Sequence, residues 1–182
     1  MREAAVLREG GVGVIATDTL YGLVAAAANE EAVRRVYKLK NRAITKQSIV
    51  LISSLKELAY FGIGLTEQRE QLLTRYWPGP TSIVMPCGTA VPEYLQCGTH
   101  TLAFRLPSDE PLRAFIHESG PLIAPSANPE GQPPATTIEQ AREYFGDTVD
   151  FYVDGGERSG EPSTLIALSE KDEVTVLRKG RL

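Results

Sequence analysis

Two stretches of this chain carry side chains suited to holding anions. Between positions 32 and 56 stand seven cations and no acid: Arg34, Arg35, Lys38, Lys40, Arg42, Lys46 and Lys56. Lys40-Asn41-Arg42 directly follows a helical stretch, and past a helix end side chains two apart can converge on one anion. Arg offers a planar fork and Lys a mobile point charge, a pairing that suits a polyphosphate. Compensation of the helix C-terminal dipole accounts for Arg34, Arg35 and Lys38. It does not account for Arg42 and Lys46, which lie beyond the helix. The second stretch, residues 16–23, crowds Thr17, Thr19 and Tyr21 at the end of an apolar run, where α/β sheets bind ligands. The same residues also make an ordinary strand end with a cap and a turn.

Later in the chain, alternation puts Thr101, Ala103 and Arg105 on one face of a strand. Arg105 there can grip a carboxylate through two parallel bonds, or serve a surface salt bridge. Residues 122–128 run from apolar strand into Pro-Ser-Ala-Asn. Ser126 and Asn128 can offer a hydroxyl and an amide to phosphate oxygens or to a metal's water, or form a plain turn. Pro162-Ser163-Thr164 and Arg178-Lys179-Gly180 flank two late strands. Trp77-Pro78-Gly79-Pro80 reads as a rigid turn with an aromatic plug.

Composition narrows the class. The 182 residues are 42% hydrophobic and 23% charged, with a formal net charge of −4, as in ordinary soluble globular chains. An acidic total argues against a protein built around bulk phosphate attraction. Two cysteines, Cys87 and Cys97, and two histidines, His100 and His117, leave no usual zinc-ligand spacing, so no protein metal site is expected. There is no P-loop, no G-x-G-x-x-G turn and no G-x-S-x-G elbow. The charged N-terminus lacks an apolar signal core, and no run of about twenty apolar residues occurs. A cytoplasmic protein away from the membrane is the expectation.

The elements that must position these residues alternate along the chain. Strands are expected at residues 12–17, 48–52, 81–85, 102–105, 122–124, 149–153, 164–168 and 174–178. Helices are expected at 30–40 with Asn29 as N-cap, at 66–76 opening on Thr66, at 111–118, and at 137–145 opening on Thr137. Val33, Val36 and Tyr37 share a buried helical face. The pattern predicts one α/β domain over residues 1–182, a twisted mixed β-sheet flanked by helices. The turn-rich loops 129–136 and 154–163 either cover a pocket or simply connect.

Taken in order, the motifs form a series. Thr-Asp-Thr-Leu-Tyr-Gly-Leu (17–23), Lys-Asn-Arg (40–42), Trp-Pro-Gly-Pro (77–80), Leu-Ala-Phe-Arg (102–105), Pro-Ser-Ala-Asn (125–128), Asp-Gly-Gly (154–156), Pro-Ser-Thr (162–164) and Leu-Arg-Lys-Gly (177–180) follow one another. This order resembles the YrdC-like threonylcarbamoyl-AMP synthases, with their K-x-R and S-x-N signatures, over about residues 10–180. The length is similar to the short, single-domain bacterial form. The resemblance implies formation of L-threonylcarbamoyl-AMP from L-threonine, bicarbonate and ATP with Mg²⁺, releasing pyrophosphate. Partner proteins would then use the adenylate in tRNA threonylcarbamoyladenosine modification.

By the same resemblance, Thr19, Arg105, Ala124 and Ser163 stand on the threonine side. Lys40, Arg42, Lys46, Thr101, Ser126, Asn128 and Arg178 stand on the ATP side, with Lys40 and Arg42 as the catalytic cations. The chain departs from the family pattern at Val24, Ala43, Leu51 and Pro134. Two other readings remain beside this one. One is a double-stranded RNA-binding module resting on the basic stretch. The other is a carbamoyl-transfer domain that uses carbamoyl phosphate.

Overall fold

The computed structural model describes residues 1–43, 45–158 and 161–180. Strand β1 (Val12–Ala16) and strand β2 (Tyr21–Ala26) form an antiparallel hairpin around the Thr17–Leu20 turn. Seven further strands join them: β3 (Ile49–Leu51), β4 (Thr81–Pro86), β5 (Thr101–Arg105), β6 (Leu122–Ile123), β7 (Phe151–Val153), β8 (Thr164–Leu168) and β9 (Val174–Arg178). Their order across the sheet is β7-β1-β2-β6-β3-β5-β4-β8-β9. β1 with β7, β3 with β5 and β4 with β8 run parallel, and the other neighbours are antiparallel.

Helices cover both faces of this mixed sheet, which is why its central strands are apolar on both sides. On one face, Ala4 and Leu7 of α1 (Arg2–Arg8) pack with Leu112, Phe115 and Ile116 of α5 (Glu110–Ser119) over Ile15, Val24 and Leu51. On the other face, α2 (Glu30–Leu39), α3 (Glu67–Leu73) and α6 (Ile138–Phe145) contribute Val33, Val36, Tyr37, Leu73, Ile138 and Phe145. These meet Val14, Tyr21, Leu23, Val50 and Phe104. Adjacent residues Val50 and Leu51 enter opposite cores, the period of two that the strand requires. Gly13 is needed where it stands, because a Cβ there would sit 2.2 Å from the Phe151 ring.

The helix starts follow the expected caps. Asn29 accepts from the Ala32 amide, Thr66 from Arg69 and Thr137 from Gln140. The helix expected to reach residue 76 stops at Leu73, short of the Trp77 turn. The strand expected from residue 149 begins at Phe151, after a 3-10 turn at Gly146–Thr148. Besides that 3-10 turn, four elements were not anticipated: α1, β2, a 3-10 helix at Leu55–Phe61 and the one-turn α4 (Glu93–Gln96). α1 opens at Met1 with no side-chain cap bond, so no capping residue marks it. β2 begins within the stretch 16–23 read as a polar strand end, yet all six of its residues are buried.

Candidate active site

The β1–β2 turn and the end of β5 meet at the floor of a cleft. Thr17 organises the turn: its Oγ1 donates to the Leu20 carbonyl (2.7 Å) and accepts from the amides of Thr19 and Leu20 (3.2 Å each). Arg105 ends β5 and is 4% exposed. Its Nη1 donates to Thr19 Oγ1 (3.0 Å) and its Nη2 to Thr17 Oγ1 (3.3 Å). Nη2 also lies 3.1 Å from Asp18 Oδ1 in a buried ion pair. Burial pushes the guanidinium below its usual range and Asp18 opposes that shift. Arg105 Nε has no acceptor among the described residues. A buried donor left without a partner costs about 1–3 kcal/mol.

One wall is built from the Ser126–Asn128 turn, held from behind by Lys40. The Lys40 ammonium donates to the carbonyls of Ser126 (2.5 Å) and Asn128 (2.6 Å) and to Asn128 Oδ1 (3.1 Å). An ammonium has three donors, and all three are engaged. Its backbone carbonyl accepts from the Glu130 amide at 2.6 Å, which fixes the next part of the same loop. Burial first, and Arg42 second, lower the Lys40 pKa to about 8, with Glu130 acting the other way. Ser126 Oγ donates to Asn128 Oδ1 at 2.6 Å, and Asn128 Nδ2 closes the loop on the Gln132 carbonyl at 2.6 Å.

Arg42 reaches the same cleft beside Gln47, its Nη2 donating to the Gln47 carbonyl at 2.6 Å. On the far side Arg178 Nη2 donates to the Ser163 carbonyl (3.0 Å), while Ser163 Oγ meets Ser82 Oγ at 2.9 Å. A register shift between Leu165 and Ile166 in the β8–β9 ladder places Arg178 opposite Leu165, and both line the cleft. Bulges of this kind re-aim a side chain at a site.

The cleft holds about 470 Å³. Of the residues singled out from sequence, Thr19, Arg42, Arg105, Ala124, Ser126, Ser163 and Arg178 line it. Lys40 and Asn128 stand behind Ser126 as supports. Thr101 stands behind Gln47, which donates to its carbonyl at 2.5 Å, and Lys46 pairs with Glu130 on an exposed rim. Gln47 and Ser48 line the cleft, and Asp18 pairs with its Arg105; none of the three had been given a role. Asp18 sits inside the quoted Thr-Asp-Thr motif, and that motif was the available signal.

Both turn-rich loops border the cleft, through Pro134 and Pro162. They are also tied together. The Arg158 amide donates to Thr136 O (2.8 Å), and Arg158 Nε to Thr17 O (2.9 Å). Tyr21 OH donates to Asp154 Oδ1 (3.0 Å) and Gly156 O (2.9 Å) and accepts from the Gly155 amide (3.1 Å). Residues 159 and 160 of the expected 154–163 loop lie outside the described residues.

The basic stretch changes meaning in three dimensions. Arg34 pairs with Glu30, Arg35 with Asp150 and Lys46 with Glu130, and Lys40 is buried. Three of the seven cations of the run are thus paired with acids, from the helix start and from distant sequence, and a fourth is buried against neutral acceptors. Among the described residues no cluster of Asp, Glu, His or Cys is placed to hold a metal ion. Asp18 and Glu130 are both occupied by cations. This donor set suits a magnesium ion carried on phosphate oxygens with its own waters, not one caged by protein. No helix among the described residues is long and apolar enough to cross a membrane.

A mixed, two-sided α/β sheet with three arginines lining one cleft defines an α/β protein with a cationic cleft. The Sua5/YciO/YrdC family model, described as "Telomere recombination", matches residues 5–180, and the chain belongs to that family. It is 38% identical to a threonylcarbamoyl-AMP synthase of Pyrococcus abyssi over 181 residues, 98% of this chain and 53% of that one. It is 36% identical to the threonylcarbamoyl-AMP synthase of Bacillus subtilis, over 97% of this chain and 52% of the relative. The crystal structure of P. abyssi Sua5 complexed with L-threonine superposes with a TM-score of 0.90 at 35% identity, covering 98% of this chain and 53% of that one. The chain thus spans about half the length of these relatives.

Proposed function

We propose that this chain makes L-threonylcarbamoyl-AMP from L-threonine, bicarbonate and ATP, releasing pyrophosphate, as one unit over residues 1–182. The observation that carries this reading is the convergence of Arg42, Arg105 and Arg178 on one cleft of about 470 Å³ in a chain of net charge −4. The names of its relatives and the threonine held by one of them support it.

In this reading Arg105 and Thr19 take the threonine carboxylate, with Ala124 and Ser163 beside the rest of the amino acid. The threonine amine adds to bicarbonate, with loss of water, to give a carbamate. A carbamate oxygen then attacks the α-phosphorus, and the bond to pyrophosphate breaks. Arg42 and Arg178 offset the charge that grows on the leaving group, and Ser126 contacts the nucleotide. Such transfers need placement and fixed charge more than a side-chain acid or nucleophile. Lys40 and Asn128 hold the Ser126 turn, while Thr101 and Lys46 frame the nucleotide side. A magnesium ion on the triphosphate would add charge neutralisation there. Residues 154–158, tied to Tyr21 and Thr17, keep water from the adenylate. The product passes to tRNA-modifying proteins in the cytoplasm.

The test is pyrophosphate release from ATP and bicarbonate with each amino acid in turn, with threonylcarbamoyl-AMP identified by mass. Release should require both threonine and bicarbonate. Turnover driven by carbamoyl phosphate, with threonine inert, would replace this reading with carbamoyl transfer.

A further inference from the structure

The sequence draws attention to Arg105, but the geometry gives that residue a controller. Arg105 lines the cleft; Asp18 does not. The two side chains are 5% and 7% exposed, and Asp18 takes the Nη2 end at 3.1 Å. Thr17 takes the same nitrogen at 3.3 Å, and Thr19 takes Nη1 at 3.0 Å. Both terminal nitrogens therefore have protein partners, while one of the two Nη1 hydrogens and the buried Nε–H have none among them.

We infer that Asp18 is a positioning residue for substrate selection: it clamps Arg105 so that the guanidinium keeps one orientation at the cleft, ready for the carboxylate of the incoming amino acid. This rests on the threonine role proposed for Arg105. A buried guanidinium without a counter-ion is costly and would turn toward water. A guanidinium held by fixed partners keeps one orientation and loses little freedom when a carboxylate arrives. The Thr-Asp-Thr triplet thus acts as one clamp, with the hydroxyls setting the plane and the carboxylate supplying the charge. Its output is discrimination for amino acids with a free α-carboxylate.

The experiment compares L-threonine with L-threoninamide, which keeps the amine and hydroxyl and lacks the carboxylate charge. Pyrophosphate release gives kcat/KM for each, and their ratio is taken within one preparation, so partial loss of folded protein cancels. The wild type should favour threonine strongly. Asp18→Asn, which keeps shape and one acceptor, should lower the ratio about tenfold, as expected for a lost buried ion pair. Asp18→Ala should lower it further, with the KM for ATP within about twofold of wild type in both. Arg105→Ala should abolish the preference. If Arg105→Ala abolishes it while both Asp18 variants keep the wild-type ratio, the clamp is wrong and the proposed function stands. If Arg105→Ala itself keeps the preference, the threonine role of Arg105 falls and the clamp falls with it.

Discussion

Replacing Lys40 with methionine separates folding from catalysis in a way the structure lets one work out. The side chain is 2% exposed and its pKa drops from 10.5 to about 8, first because of burial. That shift corresponds to about 3 kcal/mol of cost for keeping the charge in the fold. The sign follows from linkage. Below pH 8 both folded and unfolded chains hold the proton and the full cost is present. Between pH 8 and 10.5 the unfolded chain holds the extra proton, so stability rises with pH, and above 10.5 the cost is gone. Lys40→Met removes this cost while taking a donor from three acceptors, worth about 1 kcal/mol each. Asn128 Oδ1 still accepts from Ser126. The two contributions nearly cancel, so the variant should fold with a Tm within a few degrees of wild type.

Activity should not be spared. Without the ammonium the Ser126–Asn128 turn loses its anchor, and displacement of such a turn by about 1 Å costs on the order of 10²-fold in turnover. The assay is pyrophosphate release alongside thermal unfolding at pH 7. A second signature is the pH profile. If the protonated lysine is the working form, the wild-type rate should fall about tenfold from pH 7 to 9 relative to Lys40→Arg, whose charge does not titrate there. Taking the rate relative to Lys40→Arg cancels the substrates' own titrations. Wild-type turnover by Lys40→Met, or a flat ratio across that range, refutes the role given to Lys40.

Other outcomes follow from single contacts. Arg42→Ala should cut kcat by about 10²-fold with little change in threonine KM, in line with a lost charge stabiliser; steady-state kinetics decides it. Gly13→Ala forces a methyl into the Phe151 ring and should cost at least about 1–3 kcal/mol in urea unfolding. Tyr21→Phe removes the hydroxyl that fastens Asp154, Gly155 and Gly156, so hydrogen exchange in residues 154–158 should speed up while the core stays protected.

The local parts of this fold could be read from residues, and the long-range parts could not. Asn29, Thr66 and Thr137 announce helices because a cap bond spans three residues. The order β6-β3-β5-β4 depends on which distant strands share a core, and no short pattern encodes that. The site shows the same division. Thr19 and Arg105 were placed on one side of the reaction, and they lie in contact. Asp18 had no assigned role because a carboxylate's meaning depends on what it is buried against. The pairings of the cationic run lie out of reach for the mirror reason, since Asp150 and Glu130, which pair with Arg35 and Lys46, lie more than eighty residues away. The contacts of Lys40, expected as a cation for the leaving pyrophosphate, are likewise long-range, since its ammonium meets the carbonyls of Ser126 and Asn128.

Tyr21 has its ring in the central core and its hydroxyl in the 154–156 loop. The loop therefore cannot drift open by degrees. Releasing it breaks three hydrogen bonds on one oxygen together, so intermediate positions are disfavoured and the segment behaves as a latch with two settings. Entry and exit at the cleft would then be paced by discrete unlatching events, and a reactive intermediate inside would be shielded for the whole interval between them.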